Sequence, residues 1–272
     1  MTRVAVVGLG LIGGSVALGA RARGWDRDAA VRDKAHRRGI DAADSLTDAV
    51  DGAGLVVAAV PTTETAALLG EVARLAPRAI LTDCASLKAP VVDAAGALPE
   101  NARFVAGHPM AGGRGRGVAG SDPAIFRGRP WALVRTARSD DASFAVVAAF
   151  VRSLGAHPLE IDAARHDRAM TWVSHLPLAV SAALARAATG GGGVDARELA
   201  GPGLLDTTRL AGGPPALALE LALAGDGRAL ALAIETVRDE LGRLGSALSA
   251  GDAKALRAFF EDAEALRRSL EH

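Results

Sequence analysis

Close to its start the chain runs from a continuous apolar stretch, Arg3–Val7, straight into Gly8-Leu9-Gly10-Leu11-Ile12-Gly13, and a helical pattern, Ile12–Arg23, follows. A G-x-G-x-x-G placed between a strand and a helix leaves few folds open. Gly8 permits the tight turn, Gly10 removes the side chain that would keep a pyrophosphate from the backbone, and Gly13 lets the helix pack close on the strand. The N–H groups at the helix start then face phosphate charge. Gly8, Gly10, Leu11, Ile12 and Gly13 are therefore the expected phosphate-binding turn. Asp33 follows a second short strand read at Ala29–Arg32, about 20 residues past the last glycine, where an acid binds ribose hydroxyls. A carboxylate there repels a 2′-phosphate and favours NAD, while Arg32, Lys34 and Arg37 beside it keep NADP open. Val60 and Pro61, at the end of a strand read at Leu55–Val60, are expected to line the same cofactor site.

The rest of the first half repeats this alternation. Strands are read at Ala79–Thr82, Phe104–Ala106, Trp131–Val134 and Pro158–Ile161, and helices at Thr63–Leu75, Pro90–Ala97 and Ser143–Leu154. Such a pattern predicts a doubly wound, mostly parallel sheet of the Rossmann type, covered on both faces. After Ile161 the strand-like runs stop. Asp162–Ala188 reads as one long helix bent by Pro177, Gly190–Gly193 as a flexible loop, and two helical patterns close the chain. In the first, Ile234, Val237, Leu241, Leu244 and Leu248 recur at helical spacing; in the second, Leu256, Phe259, Phe260, Ala263, Leu266 and Leu270 do so. Gly251 and Asp252 read as the stop and the N-cap between them. These stripes fit an intrachain core or a homodimer interface. The fold class is thus an N-terminal dinucleotide-binding α/β domain, residues 1–161, and an all-α domain for substrate and dimerisation, residues 162–272.

The 272 residues carry 31 Lys plus Arg against 31 Asp plus Glu, a balance that argues against a nucleic-acid binder. The lone cysteine, Cys84, forms no intrachain disulfide and fits a reducing compartment. Val4–Ala20 is apolar but holds five glycines, and strand–turn–helix explains it better than a membrane span. A cytoplasmic protein without membrane contact is expected. Gly112–Gly120 alternates glycine with arginine, which suits a mobile loop at an active site.

Three later stretches narrow the chemistry. Thr82-Asp83-Cys84-Ala85-Ser86-Leu87-Lys88 follows one strand at the carboxyl edge, where ligands bind in such sheets, and Gly107-His108-Pro109-Met110-Ala111-Gly112 follows the next. The helical half adds His166-Asp167-Arg168, Ser174-His175-Leu176-Pro177 and Asp206-Thr207-Thr208-Arg209. Jointly these resemble the prephenate/arogenate (cyclohexadienyl) dehydrogenase family, from Val4 to about Leu210. The resemblance implies NAD-dependent oxidation of a cyclohexadienol carboxylate with loss of carbon dioxide, on the route to tyrosine. It makes His108 the catalytic base and Ser86 its partner on the ring hydroxyl. It makes Arg209 the carboxylate-binding guanidinium, with His166, His175 and Arg114 as further substrate-binding candidates. The chemistry is coherent: a neutral imidazole accepts a hydroxyl proton near neutral pH, a guanidinium clamps a carboxylate, and aromatisation drives decarboxylation once the ring is positioned. His166 and His175 are nine residues apart on a helix and point in different directions, so one of them is expected to be structural. Ser86 could instead cap the next helix.

The chain departs from the family pattern at Leu178, where many members carry a second histidine, and at Arg114, where many carry an acid. It also reads Gly212-Gly213-Pro214-Pro215 where many have a tryptophan segment. β-Hydroxyacid dehydrogenases and imine reductases share the two-domain plan, but the hydroxyacid branch needs a lysine on the long helix, and Asp162–Ala188 has none. A non-catalytic NAD-sensing protein is the alternative of another class.

Overall fold

The structure, a computed structural model, describes residues 3–113, 115–190, 198–213 and 225–270, together with 215, 218, 219 and 222. Two compact units divide the chain, Met1–Ala169 and Met170–His272.

The first unit is a sheet of eight strands: β1 (Val4–Val7), β2 (Arg23–Trp25), β3 (Asp41–Ala42), β4 (Leu55–Ala58), β5 (Ile80–Asp83), β6 (Arg103–Pro109), β7 (Pro130–Val134) and β8 (His157–Glu160), in the spatial order β3-β2-β1-β4-β5-β6-β7-β8. Strands β1 to β6 pair in parallel, β7 runs antiparallel to β6, and β8 is parallel to β7. The helices are α1 (Leu11–Ala20), α2 (Ala29–Arg37), α3 (Leu46–Val50), α4 (Thr62–Leu75), α5 (Ala89–Ala95), α6 (Asp141–Ser153) and α7 (Ala163–Met170). Their apolar faces cover both sides of the sheet. Val6, Val57 and Val105 join Val16, Trp131 and Val151 in one core, while Ala5, Val7, Val56 and Phe104 join Leu69, Val72 and Val91 in the other. Alternate residues of one strand thus serve opposite cores, so these strands read as unbroken apolar runs.

The α/β alternation is as the sequence predicts, with one shift of register that matters. Ala29–Arg32, read as a strand, is the start of α2, whose N-terminus is capped by the Asp28 side chain accepting from the Ala30 N–H. The second strand lies earlier, at Arg23–Trp25, and starts at the residue read as the helix end. Helix α1 stops at Ala20 because Arg21 turns left-handed, with φ 49° and ψ 43°, and its N–H closes on the carbonyls of Ala17 and Leu18. A three-residue strand reading Arg-Gly-Trp carries no apolar pattern to announce it.

The second unit holds α8 (Leu176–Gly190), α9 (Pro202–Thr207), α10 (Gly227–Ala250) and α11 (Ala253–Ser269). The long helix read from Asp162 is interrupted by a π-helical turn at Thr171–His175, and no kink at Pro177 is needed: the wider turn comes just before the proline, whose missing N–H falls at the start of α8. Gly190 ends α8, and the rest of the glycine run lies outside the described residues. Gly251 does stop α10, left-handed at φ 63°, and Asp252 caps α11 by accepting from the Lys254 and Ala255 N–H groups. The two terminal helices divide their stripes. Val237, Leu244, Leu256 and Phe259 are half-buried, whereas Leu241, Leu248, Phe260 and Leu266 are exposed. Among the described residues no helix is long and apolar enough to cross a membrane.

Candidate active site

Strands β1, β4, β5 and β6 are parallel, so their carboxyl ends share one edge of the sheet, and the order reverses between β1 and β4, where such folds bind ligands. The turn after β1 is built as its glycines require. Gly8 sits at φ +92°, and a Cβ there would strike the Ala59 carbonyl and come within 2.9 Å of Val60 Cγ1. A Cβ on Gly13 would meet the Gly8 carbonyl and lie 2.9 Å from Ala59 Cβ, whereas one on Gly10 would meet nothing within 4 Å. Two glycines thus close the turn, and the third faces open space. Leu11 and Ile12 open α1, which has no side-chain cap at Gly10 and no acid in its first turn. Its first N–H groups are therefore directed at that space without a side-chain competitor. Val60 and Pro61 lead into α4, with Pro61 as its N-cap. This turn fits a dinucleotide pyrophosphate.

Asp33 does not follow a strand. Asp33 is exposed within α2, away from any strand end. Asp26 stands directly after β2, and its carboxylate accepts from the Leu9 N–H at 2.8 Å, inside the glycine turn, and from the Asp28 N–H at 3.0 Å. The Gly-Arg loop approaches the same turn from the other side. Val118 is buried, and Ser121 Oγ donates to the carbonyls of Gly10 and Leu11 at 3.4 and 3.3 Å. Arg114 lies outside the described residues.

The loop after β5 is held by a buried ion pair. Asp83 and Lys88 side chains are both wholly buried and 2.5 Å apart. Asp83 also accepts from the N–H groups of Ala85 and Gly107, each at 2.9 Å, and Lys88 Nζ donates to the Gly107 carbonyl at 2.6 Å. The pair thus ties the β5–α5 loop to the residue before His108. Burial, aided by the neighbouring Asp83 carboxylate and only partly offset by Lys88, pushes the Cys84 thiol far up, which makes it a packed side chain rather than a nucleophile. Ser86 is half-buried and does not cap α5. That cap comes from Asp167, whose two carboxylate oxygens accept from the Lys88 and Ala89 N–H groups at 2.8 Å each. Among the described residues the Ser86 hydroxyl has no hydrogen-bond partner.

His108, half-buried near the end of β6, meets His166 from α7. Its Nδ1 lies 2.9 Å from His166 Nε2, with the rings edge to face at 68°. His166 Nδ1 in turn lies 2.7 Å from Asp167 Oδ1. With 1% of its surface exposed and both ring nitrogens engaged, His166 is a buried link between His108 and Asp167, rather than an open face like that read for it as a substrate contact. Burial pushes the Asp167 carboxyl up, but the bonds from His166 and from the Lys88 and Ala89 N–H groups outweigh it and hold the group below the usual carboxylate range. In the second unit His175 is buried at the end of the π turn, and Arg209 is exposed in the short turn Arg209–Gly212, with no ion pair or hydrogen bond of its side chain among the described residues.

Asp26, Asp83, Lys88 and Asp167 carry this geometry without having been singled out in the sequence. Three stood inside quoted motifs or beside quoted residues, but their partners are 24, 19 and 79 residues away.

Comparison with known proteins shows the family of the chain. The family model described as "Prephenate dehydrogenase, nucleotide-binding domain" matches residues 17–160, and "Prephenate dehydrogenase, dimerization domain" matches residues 162–262. The chain belongs to the prephenate dehydrogenase family. A prephenate dehydrogenase of Bacillus subtilis is 30% identical to this family member over 98% of its length and 76% of the relative's. Among solved structures, the Aquifex aeolicus prephenate dehydrogenase in complex with hydroxyphenyl propionate and NAD+ aligns with TM-score 0.86 and 26% identity, covering 99% of this chain and 98% of that one. The Synechocystis arogenate dehydrogenase aligns with TM-score 0.77 and 31% identity, over 98% and 99% of the two chains.

Proposed function

We propose that this protein is an NAD-dependent dehydrogenase that oxidises and decarboxylates a cyclohexadienyl carboxylate, prephenate or arogenate, in the formation of tyrosine. The observation that carries the reading is the position of His108. It lies at the carboxyl edge shared with the glycine turn, with an imidazole and a carboxylate lined up behind its ring. NAD bound at the Gly8–Gly13 turn supplies the hydride acceptor.

His108 takes the proton of the ring hydroxyl, and a general base of this kind contributes about 10²–10⁴-fold in rate. Ser86, released from capping duty, hydrogen-bonds the same hydroxyl and orients it. Arg209 brings an uncommitted guanidinium for a substrate carboxylate, with His175 and Arg114 as further substrate contacts. Asp26, in place of Asp33, takes the ribose hydroxyls and disfavours a 2′-phosphate. A second copy of the chain covers the exposed leucines of α10 and α11, in keeping with the dimerization domain matched there.

The test is NADH formation from prephenate and from arogenate by the wild type and His108→Ala. Turnover of at least one substrate is expected, falling about 10²–10⁴-fold in the variant. No turnover of either by folded wild type refutes the activity, and equal turnover by the variant refutes the role of His108.

A further inference from the structure

The histidine behind His108 is used by nothing in the mechanism above, yet it is buried and both its ring nitrogens are engaged. Its hydrogen bonds dictate where protons sit. The Asp167 carboxylate already accepts two backbone N–H groups and carries no proton of its own to give, so the His166 Nδ1 facing it at 2.7 Å must be the donor. In neutral His166 the lone pair then lies on Nε2. The His108 Nδ1 that meets it at 2.9 Å must therefore carry the hydrogen. The basic lone pair of His108 is left on Nε2, on the far side of its ring from His166.

We infer that His166, backed by Asp167, is a positioning residue that fixes His108 in the tautomer with Nε2 unprotonated and Nδ1 protonated. The inference rests on the reading of His108 as the base. When Nε2 takes the proton of the substrate hydroxyl, His108 becomes imidazolium. Its Nδ1–H stays directed at the His166 lone pair, and the Asp167 carboxylate lies one imidazole further on. The charge that forms during the reaction thus meets an acceptor already in place. The anchoring is independent of substrate: Asp167 is held by the first turn of α5, and the residue before His108 is held by Lys88 and Asp83. A carboxylate bonded directly to a catalytic histidine does the same work elsewhere, where a wrong tautomer lowers kcat about 10⁴-fold with the geometry intact.

Two measurements test this. In wild-type protein with 15N-labelled histidine rings, His108 is assigned by the signals lost in His108→Asn. Its neutral form should show a protonated Nδ1 and an unprotonated Nε2, and the opposite pattern overturns the inference without any variant of His166. His166→Phe keeps the volume and removes both hydrogen bonds. Its kcat should fall by about 10²–10⁴-fold, while its dissociation constant for NAD+ and its KM for the substrate stay near wild type; full activity in this variant overturns the inference. The two readings fail separately. If His108→Asn is fully active, His108 is not the base. If His108→Asn is inactive while His166→Phe turns over normally, only the positioning role falls.

Discussion

Replacing Lys88 by methionine isolates the feature on which the β5–α5 loop depends. Both members of the Asp83–Lys88 pair are wholly buried, at 2.5 Å. Methionine keeps most of the side-chain length but removes the ammonium. The Asp83 carboxylate then keeps its two N–H donors, from Ala85 and Gly107, yet loses its counter-charge, and the Gly107 carbonyl loses its bond from Lys88 Nζ. Breaking a buried pair by deleting one partner costs about 3–5 kcal/mol. The surviving N–H bonds to Asp83 place this case toward the lower end, and the stranded Gly107 carbonyl adds about 1–3 kcal/mol back, so the range stands. In a unit of this size each kcal/mol moves Tm by about 2–4 °C, which gives a fall of about 6–20 °C. Urea unfolding of wild type, Lys88→Met and the double variant Asp83→Asn/Lys88→Met reads the cost directly. The double variant should recover part of the loss, because no bare charge remains in the interior. A single-variant loss under about 1 kcal/mol, or a double variant no more stable than the single, would refute the argument that this pair is electrostatically coupled and dry.

Two further outcomes follow from other parts of the molecule. Asp26→Asn should weaken NAD+ binding and narrow the gap between NAD+ and NADP+, whereas Asp33→Asn, on the exposed face of α2, should leave both unchanged; fluorescence titration with each nucleotide decides, and a larger effect at Asp33 restores the original reading of the ribose acid. Ile234, Leu241 and Leu248 repeat every seven residues, so they share one face of α10, and all three are exposed; Leu241→Lys with Leu248→Lys should turn a dimer into a monomer by light scattering, and an unchanged mass excludes this face as the interface.

What the sequence showed clearly was local. The glycine turn announces itself within six residues, because each glycine answers a steric demand of its own stretch: the left-handed Gly8, the close approach at Gly13, the open space at Gly10. The apolar runs of β4 and β5 are equally plain, since both their faces are buried. The acid at the end of the second strand was misplaced for a reason of length. Counting about 20 residues past the glycines assumes a longer first helix, but α1 ends after ten residues at the left-handed Arg21, and β2 is over by Trp25. Every later landmark in that crossover moves toward the N-terminus, and Asp26 takes the place assigned to Asp33.

The catalytic surroundings were half legible for a different reason. His108 and Ser86 sit in motifs that can be recognised in one stretch, but what decides their roles comes from far along the chain. Read locally, Ser86 two residues before Lys88 has the spacing of a helix cap, and nothing nearby competes for that task. The competitor is Asp167, which lies 79 residues from Lys88 and reaches both first N–H groups of α5. A carboxylate is the stronger partner for a helix N-terminus, and by taking that position it does three things at once. It leaves the Ser86 hydroxyl outside the cap, it fixes α7 against α5, and it orients the His166 ring that meets His108. Neighbouring residues on a helix point about 100° apart, so one short His-Asp pair can serve the cap with one side chain and meet His108 with the other. That economy is a property of the fold, and it becomes visible only when β6, α5 and α7 are brought together.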